Sequence, residues 1–286
     1  MRVLVLGAGV VGEATGKGLL QFKNQVTFAD INPQRVTSLT SEGLTAIGPD
    51  AIDLAQYDVC FVAVTALTSP GAGVDLTNLM SATTLLGDRL RLADCAIVYR
   101  CTMPPGTMRT VLIPLLESGS GKKAEVFGVG YSPEYLRANS AYQDYTHPRV
   151  ITMATLAADD YTHQQLRTLM SPFGVDMPWF SLEALEFQKY VSNVFNAAKI
   201  SLINAFRQTG IQLGIEPSEV QRAIETTLLT AEGLWNARYG IRDFGPYGGA
   251  CLPKDTQAWI YYLQQQGLDA SLFLAVQRVN QELGGE

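Results

Sequence analysis

The chain has 286 residues, more than one ordinary domain, and its 47% of hydrophobic residues provide for a substantial core. A net charge of −6 argues against nucleic acid as the main partner, because phosphate backbones are gripped by clustered Lys and Arg. No apolar run reaches the ~18 residues of a membrane span, no signal peptide precedes the first strand, and two histidines (His147, His163) leave no metal site to expect. Four cysteines (Cys60, Cys95, Cys101, Cys251) without a Cys-x-x-Cys spacing point to reduced thiols and a cytoplasmic location.

The first element is the apolar run Val3 to Leu6, too short for a helix, followed at once by Gly7-Ala8-Gly9-Val10-Val11-Gly12 and a helix-compatible stretch from Glu13 to Gln21. Glycines in this spacing after a strand suit a dinucleotide. Gly7 permits the tight turn, Gly9 lets the main chain approach a pyrophosphate, and Gly12 allows helix and sheet to pack closely, so the phosphates sit on the helix N-terminus. A second strand, Gln25 to Ala29, ends in Asp30, about 20 residues on, where an acid takes the adenosine ribose hydroxyls. A carboxylate there repels a 2′-phosphate, so the expected cofactor is NAD, held by Gly7, Gly9, Val10, Val11, Gly12 and Asp30.

Further strand-like runs are Val59 to Val64, Ala96 to Cys101, Val126 to Val129 and Val150 to Met153, with helical stretches such as Leu76 to Leu90 and Met108 to Glu117 between them. Alternation of this kind predicts an α/β fold, a Rossmann-like doubly wound parallel sheet covered on both faces. Ligands of such sheets bind beyond the carboxyl ends of the strands. That rim receives Thr65, the turn Cys101-Thr102-Met103-Pro104-Pro105-Gly106-Thr107, and Tyr131-Ser132-Pro133-Glu134. Thr65 and Thr102 are therefore added to the cofactor-contacting set.

The pattern changes after Phe180. Ser181 is a candidate N-cap for a long helical run to about Leu213, in which Lys189 and Asn193 lie four residues apart on one face. Such a pair can be a solvated face or part of a site. Gly214 to Pro217 ends this helix and Ser218 begins another, so two domains are expected: 1–180, binding the nucleotide, and 181–286, all helical. A long apolar helix in a small domain needs a partner, which predicts a homodimer packed through residues 181–213. Near the end stands Gly248-Gly249-Ala250-Cys251-Leu252-Pro253-Lys254-Asp255. Pro253 suits the first turn of a helix. A cysteine at a helix N-terminus faces unpaired amides and the positive end of the dipole, which suits a reactive sulfur. One turn on, Asp255 can bring a carboxylate beside it. A tight turn holding a buried cysteine is the competing interpretation of this octet taken alone.

Six of these stretches, in order, resemble the UDP-glucose/GDP-mannose dehydrogenase family: Gly7 to Gly12, Asp30-Ile31-Asn32-Pro33, Cys101 to Thr107, Ser132 to Arg137, Glu186 to Asn204 and Gly248 to Asp255. The resemblance covers essentially the whole chain, and Ala275 to Asn280 looks like the start of the family's interdomain helix. It implies oxidation of a sugar primary alcohol to a carboxylate with two NAD. Under it, Cys251 is the nucleophile, passing through a thiohemiacetal and a thioester. Lys189 and Asn193 stabilise the developing oxyanion, and Asp255 orders water and protons with that lysine. Glu134 is the base for hydrolysis, with Thr102 beside it. The chain also departs from the family. It ends where the connecting helix would lead to a third, nucleotide-gripping domain, so a short form acting on a sugar nucleotide or a smaller alcohol is expected. Before the cysteine, the family's Gly-Phe-Gly-Gly-Ser-Cys is replaced by Pro246-Tyr247-Gly248-Gly249-Ala250-Cys251. The competing expectations are a two-electron enzyme of the beta-hydroxyacid dehydrogenase type, which needs no cysteine, and a non-catalytic NAD-binding subunit.

Overall fold

A computed structural model describes residues 1–65, 67–68, 74–91, 93–236, 239, 245–249 and 251–285, the side chains of 67, 68 and 235 excepted. Its contacts divide into two compact units, Met1–Ser192 and Asn193–Glu286. That boundary falls later than the expected 180/181, because the first turns of the long helix bond to the sheet unit.

In the first unit β1 (Arg2–Leu6) leads to α1 (Val10–Leu20), β2 (Gln25–Ala29), α2 (Pro33–Ser41), β3 (Thr45–Ile47) and β4 (Val59–Val62). A short antiparallel pair, β5 (Leu67–Thr68) and β6 (Val74–Asp75), precedes α3 (Thr77–Leu90) and β7 (Ala96–Tyr99). A π-helical segment, Met108–Leu112, runs on as α4 (Ile113–Ser120), followed by α5 (Ala124–Phe127), β8 (Val129–Tyr131), α6 (Ala141–Thr146), β9 (Met153–Thr155), α7 (Asp160–Met170) and β10 (Trp179–Phe180). Eight strands form one sheet in the order β10-β9-β8-β7-β4-β1-β2-β3. The order reverses at β1, which pairs with both β2 and β4, and that switch point opens the crevice where doubly wound sheets take their ligands.

Side-chain alternation along the central strands accounts for the two covered faces. Leu4, Cys60, Val62, Ile97 and Tyr99 point into one core with α3 and α4. Val3, Val5, Phe61, Ala96 and Val98 point into the other, with Leu19 of α1 and Leu166 of α7. All ten of these strand residues are less than 1% exposed, so a substitution on either side of a strand meets packed atoms.

Two strand expectations are corrected. Val126 and Phe127 close the helical turn α5 rather than open a strand. The Gly128 N–H bonds back to the Ala124 carbonyl at 2.8 Å, and its φ of +90° turns the chain so that β8 begins only at Val129. The run expected at Val150 to Met153 enters the sheet at Met153 and lies antiparallel to β8, the one departure from an otherwise parallel sheet among the described strands. The chain leaving β8 crosses to the α1 side through α6, whose Tyr145 ring occupies the space a Cβ at Gly18 would need, and comes back into the sheet from the far end.

α8 (Leu182–Gln212) begins where Ser181 was expected to cap it: the Ala184 N–H donates to the Ser181 hydroxyl oxygen at 3.3 Å. The second unit contains the rest of α8, then α9 (Pro217–Thr230), α10 (Glu232–Trp235), α11 (Leu252–Gln265) and α12 (Ser271–Glu282). Its core is small, Ile260, Leu263, Ala270 and Phe273 with Trp259 against them. No helix among the described residues is long and apolar enough to cross a membrane.

Candidate active site

The glycine loop is built for close approach. A Cβ on Gly12 would lie 1.8 Å from the Gly7 carbonyl oxygen, and one on Gly7 would lie 2.8 Å from the Ala63 carbonyl oxygen at the end of β4. Gly7 also has a φ of +91°, a conformation that side chains disfavour. Gly9 differs: a Cβ there would meet nothing within 4 Å, which leaves the start of α1 open to a ligand. Gly9 is the N-cap of α1 with no side-chain cap, and Val10 beside it is 53% exposed, so first-turn amides face that space as a pyrophosphate requires.

Asp30 directly follows β2 beside this loop. One carboxylate oxygen accepts the Ala8 N–H at 2.7 Å and the other the Asn32 N–H at 2.8 Å, fixing the side chain at the mouth of the crevice. Asn32 caps α2 by accepting from the Gln34 N–H, with Pro33 at the first helical position. The sequence reading did not single out Arg35, one turn into α2. Its Nε donates to the Ala8 carbonyl at 2.7 Å and its guanidinium pairs with Glu13 of α1, which ties α2 to the glycine loop. These residues fit a dinucleotide whose ribose hydroxyls meet Asp30. Asp30→Ala is expected to raise KM for NAD about tenfold, the worth of charge-assisted hydrogen bonds. It should also move the NADP-to-NAD preference by a similar factor, because the carboxylate that repels a 2′-phosphate is gone. Steady-state kinetics with both cofactors checks this, and an unchanged ratio would move the ribose contact elsewhere.

The other rim residues fall on loops after β4, β7 and β8. Thr65 follows β4 and is exposed; Thr102 is half-buried in the loop after β7. Glu134 follows β8, where one carboxylate oxygen accepts the Leu136 N–H at 2.6 Å. Its other oxygen lies 3.4 Å from Nζ of Lys189, which also donates to the Glu134 carbonyl. Lys189 is only 2% exposed, and its ammonium sits over the Tyr135 ring at 4.9 Å from the centroid. Burial lowers its pKa from the ordinary lysine value, with the Glu134 charge opposing that shift. Thus the structure brings Lys189 and Glu134 together at the strand-end rim. Asn193 lies four residues further along α8 and is exposed.

In the second unit, Cys251 is the N-cap of α11, exposed, with Pro253 in the first turn as expected. Gly249 before it has a φ of +84°, and Ala250 lies outside the described residues. The Asp255 N–H donates to the Cys251 carbonyl at 2.8 Å, while its exposed carboxylate pairs with Lys254 at 3.2 Å. The remaining cysteines differ in kind. Cys60 and Cys95 are buried, with thiol pKa values pushed upward by desolvation, and burial pushes Cys101 up to about 12.

Sequence reasoning also passed over Arg100, Glu186 and Gln188. Arg100 directly follows β7, 4% exposed, stacked between the rings of Phe61 and Tyr145. Gln188 accepts a hydrogen bond from the Tyr135 hydroxyl, which also meets Thr152 at 2.8 Å. A charged residue on the apolar face of a helix was the available signal for Glu186, since Leu182 and Leu185 share its burial.

A doubly wound sheet with an uncapped glycine-loop helix and an acid at the end of β2 defines a dinucleotide-binding protein, here joined to a helical unit that presents a cysteine at a helix start. Two family models match the chain. Residues 183–282 match the central domain of the UDP-glucose/GDP-mannose dehydrogenase family, and residues 49–173 match its NAD binding domain. The second match begins after the glycine loop and Asp30, which therefore stand on their own geometry. UDP-glucose 6-dehydrogenase of Pseudomonas aeruginosa is 29% identical over 98% of this chain and 65% of its own length, and GDP-mannose 6-dehydrogenase of the same organism is 27% identical over 98% and 68%. A crystal structure of GDP-mannose dehydrogenase from that organism, in a ternary complex, superposes with a TM-score of 0.88 at 26% identity, covering 99% of this chain and 69% of that one. UDP-glucose dehydrogenase from the archaeon Pyrobaculum islandicum gives 0.71 at 27%, over 98% and 68%. The chain belongs to the UDP-glucose/GDP-mannose dehydrogenase family, and its cofactor is NAD. It spans about two thirds of the length of these relatives.

Proposed function

We propose that the protein oxidises the primary alcohol of a sugar nucleotide, or of a related smaller alcohol, to a carboxylate in two steps. The observation that carries this is Lys189, a buried ammonium held on Glu134 at the strand-end rim of an NAD-binding sheet. Bound NAD supplies the hydride acceptor for each oxidation. The chain supplies the rest. An aldehyde carbonyl carries no removable hydride until a nucleophile makes it tetrahedral, and Cys251, exposed at the start of α11, is the sulfur suited to that addition. The resulting thiohemiacetal oxygen is stabilised by donors fixed on one helix, Lys189 and Asn193. After the second oxidation a thioester remains, and Glu134, its geometry set by the Leu136 N–H, takes a proton from the water that hydrolyses it, releasing the Cys251 thiol. Thr102, on the neighbouring loop, lines the same rim, and Asp255 relays protons near the sulfur.

Counting NADH per product with a panel of nucleotide sugars and small polyols tests this. Two per carboxylate supports the proposal; one, with an aldehyde or ketone product, would replace it with a two-electron dehydrogenase. NAD binding without turnover of any substrate would leave a non-catalytic subunit.

A homodimer through α8 belongs to the same proposal. Val194, Phe195 and Ile200 are each more than 60% exposed on that helix, an apolar surface that a second copy would cover. Phe195→Glu is expected to convert the dimer to monomer in sedimentation velocity, and a wild-type monomer at micromolar concentration would remove α8 as the interface. The absence of Cys-x-x-Cys pairs and the free state of all four cysteines fit a reducing, cytoplasmic setting.

A further inference from the structure

Glu186 is fully buried, yet no Lys or Arg among the described ion pairs meets it: Arg109, the nearest cation in sequence to the groups it touches, pairs with Glu183 instead. Its two oxygens accept backbone N–H groups, one from Gly106 and one from Met108 at 2.8 Å. Those amides open the helical segment that starts at Met108, so a side chain of α8 caps a helix that follows β7. Such a helix start needs only a local Ser, Thr or Asp as cap, and burial makes the carboxylate harder to keep charged, raising its pKa. What a distant cap adds is a tie between two segments. Three residues further along α8, Lys189 holds the loop after β8 through Glu134, and between them Gln188 holds Tyr135.

We propose that Glu186 is a positioning residue: by capping the Met108 helix from α8, it locks the loop after β7, with Thr102, in register with Lys189 and Glu134. This rests on the assignment of Lys189 to oxyanion stabilisation. Removing the tie lets α8 and the loop move separately, so Lys189 gains water and loses its placement.

The test uses the full chain with Glu186→Gln, which keeps the size but accepts through one oxygen only. Three quantities are followed: amide exchange at Gly106 and Met108, the titration of Lys189 by NMR of a 13C-lysine-labelled sample, and turnover in a cycle with Lys189→Met. Expected are exchange at both amides faster by at least about tenfold, a Lys189 midpoint higher by about one pH unit, and kcat lower by about 10–100-fold with KM for NAD unchanged. Added to Lys189→Met, the substitution should cost little more, because both act through one group. Faster exchange with an unmoved Lys189 titration, or full multiplication of the two losses, would overturn the proposal and leave Glu186 a local cap. If the wild type oxidises nothing, the proposed function fails, while exchange and titration still decide the role of Glu186. Should Glu186→Gln not fold, Glu186→Asp, with the charge kept and the reach shortened, must show the same two shifts.

Discussion

Cys251→Ser is expected to stop acid formation, lowering carboxylate release by on the order of 10³-fold or more, as loss of a covalent nucleophile does elsewhere. The expectation follows from what distinguishes this sulfur from the rest. Cys60 and Cys95 lie in the sheet core and Cys101 is held by burial as a thiol, so none of them offers a nucleophile to a substrate. Cys251 alone is exposed, at the first turn of α11, where Pro253 leaves no N–H of its own to satisfy. Serine keeps the position and the polarity but not the nucleophilicity, so the first oxidation should survive and the second should not. Product analysis would then find aldehyde and one NADH where the wild type gives acid and two. In a parallel check, iodoacetamide on the native protein should label Cys251 before the other three. Undiminished acid formation by the serine variant would end the covalent mechanism, and the NAD site would stand unaffected.

The parts of this protein that follow one local rule were open to sequence reasoning. The glycine loop directly follows β1 and Asp30 directly follows β2, with its carboxylate on the Ala8 N–H, an adjacency that their spacing in the chain already suggests. Ser181 and Pro253 announce helix starts because caps and first-turn prolines act within a few residues. What escaped depends on tertiary partners. Val126 and Phe127 are the exception: strand-like in composition, they close a helical turn through the local bond from the Gly128 N–H to the Ala124 carbonyl. β9 carries an ordinary strand sequence, which holds no information about its direction relative to β8. Glu186 and Gln188 were inside a recognised stretch, but their partners, Met108 and Tyr135, are far away in the chain, at |i−j| of 78 and 53. Arg35 was missed for the same reason: its acceptor, the Ala8 carbonyl, belongs to a different βα unit.

Lys189→Met is expected to lower kcat by about 10²–10³-fold, the range for removing one oxyanion donor, with KM for NAD little changed. Methionine fills the same volume in the buried slot over Tyr135 but cannot donate to the Glu134 carbonyl or offset its carboxylate. The pH dependence separates a catalytic ammonium from a packing role. Burial lowers the pKa of Lys189, so its proton leaves at a lower pH than from an ordinary lysine. Under the proposed role, in which the charged form stabilises the oxyanion, wild-type kcat should fall as pH rises through that lowered value, and Lys189→Met should lack this alkaline limb. Stability runs the other way. Between the lowered folded pKa and the unfolded lysine value, the unfolded chain binds the proton more tightly, so unfolding becomes less favourable as pH rises. Below that window the cost of burying the charge is present in full; through it the cost disappears. Wild type should therefore gain stability relative to Lys189→Met in thermal melts taken toward the lysine range, while losing activity over the same interval. Parallel melting curves for the two proteins, or an alkaline limb that persists in the methionine variant, would take the ammonium out of the chemistry and leave Lys189 a structural link between α8 and the loop after β8.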